Sequence, residues 1–96
     1  MKARVLSTGF HVPARVVTNA ELTGYMDTSD EWIRQRSGIE ERRWVDEGVG
    51  GSDLARIAAE MALERAAMSA SGLDCVIVAT LSPDHFFPGT GVFLQR

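Results

Sequence analysis

A single cysteine, Cys75, in a chain of 96 residues leaves no partner for an intrachain disulfide, and no cysteine–histidine cluster has zinc-ligand spacing. No metal is expected, and a reducing, cytoplasmic setting is. An excess of positive charge is missing too. Against 13 aspartates and glutamates stand 10 lysines and arginines, with the two signs interspersed. No basic stripe results, so nucleic acid is not an expected partner. Long apolar runs are also scarce. The first residues carry positive charge, but their apolar stretch breaks at Ser7, Thr8 and Gly9, well short of a signal-peptide core. Neither export nor a membrane partner is expected, and no internal repeat or low-complexity segment is visible.

What the chain does have is a hydrophobic fraction of 45% and a charged fraction of 24%, the balance of a soluble globular protein. Its length suits one small core and no second one. One domain, or part of one, is the expectation.

Residues 4–8 read as a short strand, turned by Gly9 and Pro13. Asn19 reads as the cap of a short helix to about Tyr25. Thr28-Ser29-Asp30-Glu31 has the capping-box pattern, with Thr28 as the cap, and predicts a helix through Trp32, Ile33 and Arg36 that stops at Gly38. Residues 40–45 read as extended, and residues 47–51 as a flexible, glycine-rich loop. Ser52 then caps the clearest helix, running to about Met68. Its inward stripe is Leu54, Ile57, Ala58, Met61, Ala62 and Arg65 at i, i+3, i+4 spacing. After a loop at 69–72, the near-continuous apolar run at 73–80 predicts a buried central strand. A loop with Phe86 and Phe87 follows, then a helix from about Thr90. The sequence stops at Arg96 just after the apolar Val92-Phe93-Leu94, so residues 1–96 read as a partial domain ending inside a helix. Such a piece is expected to expose apolar surface along 76–79 and 92–94.

For chemistry, Thr28, Trp32 and Arg36 stand four residues apart, which puts them on one helical face. A hydroxyl, an aromatic plane and a guanidinium together suit a nucleotide-bearing ligand. Spacing leaves a second reading open: Trp32 packs in the core, Arg36 stacks on it and Thr28 only caps. Cys75, inside the apolar run, reads as a buried structural residue. His11 and His85 fall in loops and join no visible triad. Phe86 and Phe87 could line an acyl pocket, form a subunit interface or plug the local core. Residues 48–51 lack the strand before them and the Gly-Lys-Ser/Thr after them that a phosphate loop needs, and read as a hinge or solvent loop.

Taken in order, these segments resemble the N-terminal portion of the 3-oxoacyl-(acyl-carrier-protein) synthase III family, the ketoacyl synthases that start type II fatty acid synthesis. The resemblance is carried by Asp27-Thr28-Ser29-Asp30-Glu31-Trp32-Ile33, by Arg36-Ser37-Gly38-Ile39 and by Glu41-Arg42. Thr18-Asn19-Ala20-Glu21-Leu22 precedes them; Ser52-Asp53-Leu54-Ala55, Val78-Ala79-Thr80 and Phe87-Pro88 follow. Ser37 stands where the family usually has threonine, and Glu40 where a basic residue is frequent.

The resemblance implies an α/β fold, part of a thiolase-like α/β/α layered sandwich, incomplete here. It implies an acyltransferase that condenses acyl-CoA with malonyl-acyl carrier protein as a homodimer, with a coenzyme A thioester as substrate and no separate cofactor. On Trp32 it places stacking against the coenzyme A adenine, on Thr28 contact with the same base and on Arg36 the nucleotide phosphates. On Phe87 it places a contact across the dimer interface that shapes the partner's acyl pocket. The family's catalytic cysteine, histidine and asparagine match no residue of this chain, so no catalytic residue and no activity are expected in the 96 residues alone. Relatives in polyketide, quinolone and long-chain pathways share these motifs, and a non-catalytic coenzyme A-binding or assembly module is a further alternative.

Overall fold

The computed structural model describes residues 2–95. The chain divides into two units: Val12–Glu47 forms one, and the residues on either side of it form the other.

In the Val12–Glu47 unit, strand β1 (Arg15–Thr18) pairs antiparallel with β2 (Glu41–Trp44), in the register Arg15 to Trp44 through Thr18 to Glu41. Between them come the single-turn α1 (Asn19–Leu22) and the two-turn α2 (Asp30–Ser37). Val17, 0% exposed, is the one fully buried hydrophobic side chain among the described residues. Arg15 lies over the Trp44 ring, 5.2 Å from its centroid, and Tyr25 packs against that ring at 5.4 Å.

Two of the predicted helix starts shift. Asn19 is the first residue of α1, not its cap; the cap is Thr18, whose Oγ1 accepts the Glu21 N–H at 3.2 Å. The α2 cap is Ser29, which is extended and whose Oγ accepts the Trp32 N–H at 3.1 Å. In a run of three capping-type residues, Thr28, Ser29 and Asp30, the entry angle of the chain decides which one caps. Thr28 therefore lies outside the helix, one residue before its cap. The predicted stop holds: Gly38 adopts φ 73°, the left-handed conformation in which a Cβ costs about 1–2 kcal/mol, and donates its N–H to the Arg34 carbonyl at 2.8 Å.

In the other unit, α3 (Gly51–Ala66) packs with α4 (Thr90–Gln95), and a 3₁₀ turn occupies Ala70–Gly72. The cap of α3 is Gly50 and not Ser52; the Asp53 carboxylate accepts the Gly50 N–H at 2.9 Å. Ser52 instead donates its N–H, at 3.0 Å, and its hydroxyl to Asp84. Asp84 in turn donates its own N–H to the buried Thr90 Oγ1 at 3.0 Å. One aspartate thereby ties the loop before α4 to the first turns of both helices. The Ser52 hydroxyl and N–H hold the Asp84 carboxyl below the usual carboxylate range. The predicted course of the last helix to Arg96 falls outside the described residues.

The segment before residue 12 runs against α3. Ser7 Oγ donates to the Ala62 carbonyl at 2.6 Å, and Arg65 donates to the Thr8 carbonyl at 3.1 Å. Gly9 lies directly on the α3 backbone: a Cβ there would collide with the Ala58 carbonyl and stand 2.8 Å from the Ala62 nitrogen.

Neither predicted strand of this unit is present. Residues 4–8 and 73–80 have no paired neighbour among the described residues, and the whole 73–80 run is exposed, Cys75 included. A strand exists only where a second strand takes its N–H and C=O groups. The α3 stripe is likewise only half covered, and Ile57 and Arg65 are exposed. An apolar groove lined by Ala59, Leu63, Leu73, Val76 and Leu94 adjoins α3. The 96-residue chain by itself is therefore expected to bind a hydrophobic dye such as ANS and to self-associate at micromolar concentration. A dye-silent monomer in sedimentation would contradict this.

Candidate functional site

Thr28, Trp32 and Arg36 all belong to the Val12–Glu47 unit. A cleft of about 320 Å³ opens at the start of α2, lined by Asp27, Thr28, Ser29 and Trp32. Thr28, outside the helix, reaches this cleft through the extended backbone that enters α2 rather than through helical spacing. Its buried Oγ1 has no hydrogen-bond partner. An unsatisfied buried hydroxyl carries a desolvation cost of about 1–3 kcal/mol.

Trp32 is 56% exposed, so it is not a core residue. The Arg36 guanidinium carbon stands 5.4 Å from its ring centroid. The cation–π pair therefore forms, but on a solvent-facing ring. A guanidinium covers one side of an indole and leaves the other for a second flat group. Arg36 makes no ion pair among the described residues, whereas Arg34, on the same helix, bonds Asp30 at 3.0 Å and Glu40 at 3.2 Å. A plane, a free hydroxyl and an uncompensated cation thus stand within two turns of one another.

Asn19, which local reading makes a cap, is 1% exposed and hydrogen-bonded on all sides. Its Nδ2 donates to Asp30 Oδ1 at 2.8 Å and to the Ile39 carbonyl at 2.7 Å; its Oδ1 accepts from Arg42 Nη2 at 2.7 Å. Arg42 also donates to the Val17 carbonyl at 3.2 Å. The bonds from Asn19, first, and from Arg34 lower the pKa of Asp30. Sequence reading missed this network, and Asp27 as a cleft wall, because an asparagine before a helical stretch looks the same whether it caps or is buried.

Phe87 lies in the other unit, where it is 91% exposed beside an equally exposed Phe86, so neither ring plugs the local core. His85 packs against Phe93 at 5.0 Å. Among the described residues no cluster of His, Cys, Asp and Glu could hold a metal, and no helix is long and apolar enough to cross a membrane.

No family model matches the chain. It is 50% identical over 95 residues to the beta-ketoacyl-(acyl-carrier-protein) synthase III of Paramagnetospirillum magneticum, covering 99% of this chain and 29% of the relative. To the enzyme of the same name from Geobacillus kaustophilus it is 47% identical over 96 residues, or 31% of that protein. The fold matches the crystal structure of 3-oxoacyl-(acyl-carrier-protein) synthase III from Aquifex aeolicus with a TM-score of 0.87 at 42% identity, covering 96% of this chain and 30% of that one. The priming beta-ketosynthase of the R1128 polyketide pathway matches with a TM-score of 0.88 at 32% identity, over 96% of this chain and 28% of that one. In sequence and in its α/β fold, the chain belongs to the beta-ketoacyl-(acyl-carrier-protein) synthase III family, and it spans about three-tenths of the length of the relatives it matches.

Proposed function

We propose that the face formed by Thr28, Trp32 and Arg36 binds the nucleotide end of a coenzyme A thioester for a ketoacyl synthase III-type acyltransferase. The observation that carries this reading is the exposed Trp32 ring beside the unpartnered Thr28 hydroxyl and the uncompensated Arg36 charge. Adenine stacks on the open side of the indole, Thr28 bonds its edge and Arg36 pairs with a phosphate.

The whole synthase, in this reading, transfers the acyl group of acyl-CoA to a cysteine thiol and releases free coenzyme A. It then joins that acyl group to the carbanion left when malonyl-acyl carrier protein loses carbon dioxide, with a histidine and an asparagine stabilising the enolate. None of those three groups is assigned to this chain. Cys75 is exposed in an irregular segment with no base hydrogen-bonded to it among the described residues, a poor setting for a nucleophile. Phe87, exposed and free of the local core, is proposed as an acyl-pocket and dimer-interface residue of the assembled enzyme. The exposed apolar run at 73–80 is proposed to pack within that assembly.

The test uses the synthase with Trp44→Phe, so that Trp32 is the only tryptophan this chain contributes. Coenzyme A and its adenine half, adenosine 3′,5′-bisphosphate, are expected to quench Trp32 fluorescence saturably, and pantetheine is not. Quenching by pantetheine alone, or by none of the three, overturns the reading.

A further inference from the structure

We propose that Asn19 is a positioning residue of the nucleotide face, acting through Asp30; this rests on the nucleotide reading above and deepens it. Little else holds α2 in place. The helix has two turns, a length at which isolated helices are marginal in water, and none of its residues is buried. Ile33 is its one apolar side chain that turns partly inward. Hydrophobic packing therefore does not fix where Trp32 points.

One amide group does. The two Nδ2 protons of Asn19 go to opposite ends of α2: one to Asp30, the first residue of the helix, and one to the carbonyl of Ile39, just beyond the Gly38 cap. The Asn19 backbone N–H adds a bond to the Glu40 carbonyl at 3.2 Å. Its Oδ1 is held by Arg42, a β2 residue that also grips the β1 carbonyl of Val17. A helix without a buried face is thereby clamped at both ends to the β1–β2 ladder by a side chain that is itself 1% exposed. Asp30 lies two residues from Thr28 and two from Trp32, so a shift at Asp30 moves both walls of the cleft.

The burial of Asn19 makes Asn19→Ala a risk to folding, so the deciding variants are at exposed Asp30. Asp30→Asn keeps an oxygen that accepts from Asn19 but loses the negative charge and its pairing with Arg34. Asp30→Ala loses all three. In the synthase, Asp30→Ala is expected to raise the KM for acyl-CoA about tenfold with kcat unchanged, and Asp30→Asn to restore most of it. Arg34→Ala is expected to leave KM within about twofold of the parent, because its exposed ion pairs contribute little. Equal losses from Asp30→Ala and Asp30→Asn would mean that only charge at the helix start matters, and would overturn the proposal. So would a wild-type KM in Asp30→Ala. Trp32→Ala separates the two readings: if it leaves KM unmoved, the nucleotide assignment fails. If it raises KM while both Asp30 variants behave as wild type, only the clamp fails.

Discussion

Gly9→Ala is expected to lower the stability of the protein by about 3 kcal/mol or more, read as a shift of the urea midpoint at constant slope. The added methyl would meet the Ala58 carbonyl and stand 2.8 Å from the Ala62 nitrogen. These are backbone atoms of α3 in the middle of its hydrogen-bonded ladder, which cannot rotate aside as a side-chain tip could. Relief comes only if residues 7–9 lift away. That movement breaks the bonds of Ser7 to Ala62 and of Arg65 to Thr8, each worth about 0.5–1.5 kcal/mol. Against a typical total of about 5–15 kcal/mol the loss is large. Gly24→Ala is the control. Its nearest heavy atom, the Glu21 carbonyl oxygen, would stand 3.4 Å from the new methyl and its φ is not positive, so the midpoint should barely move. Equal midpoints for the two variants would show that the Gly9 contact is not needed.

The same contact bears on what could be read from the residues in advance. Gly9 announces a turn in sequence, yet its role is to let one segment lie on a helix about fifty residues further along. No local pattern encodes that partner. What is encoded locally was legible: the stop of α2 at Gly38, which needs only a left-handed backbone, the extended β2, the long α3 and the start of α4 at Thr90. The two absent strands show the opposite case. An apolar run at 73–80 states which environment those side chains favour, and a ladder additionally requires a neighbour, which the described residues do not supply.

The site divides along the same line. Residue type and spacing placed an aromatic plane and a cation together on α2, and the cation–π pair of Arg36 and Trp32 follows from i, i+4 geometry. Thr28 reached the cleft for a reason that spacing misstated, since Ser29 took the capping role and left its hydroxyl free. Asn19 and Arg42, which brace the face, are separated by more than twenty residues and meet only because β1 and β2 pair. Their cooperation belongs to the hairpin register and could not be read from either residue alone.

Trp32→Ala is expected to raise the KM for acyl-CoA by about 5- to 150-fold, the span given by a stacking contribution of about 1–3 kcal/mol per base. The change should fall on KM and leave kcat alone. A nucleotide distant from the reacting thioester is held equally in the ground state and the transition state, and loss of such uniform binding does not alter the barrier from the bound complex. Stability should fall by only about 1 kcal/mol, because a side chain in a residue 56% exposed contributes little buried area and its pairing with Arg36 is worth about 0.5–1 kcal/mol at an exposed site. A melting temperature within a few degrees of the parent's therefore accompanies the expected kinetic loss. Arg36→Ala should produce a smaller rise in KM that shrinks as salt is added, since a charge contact with phosphate is screened and stacking is not. Trp32→Phe, which keeps a ring of reduced area, should fall between the parent and Trp32→Ala. A fall in kcat at constant KM would move Trp32 out of the nucleotide site and into the support of the reacting centre.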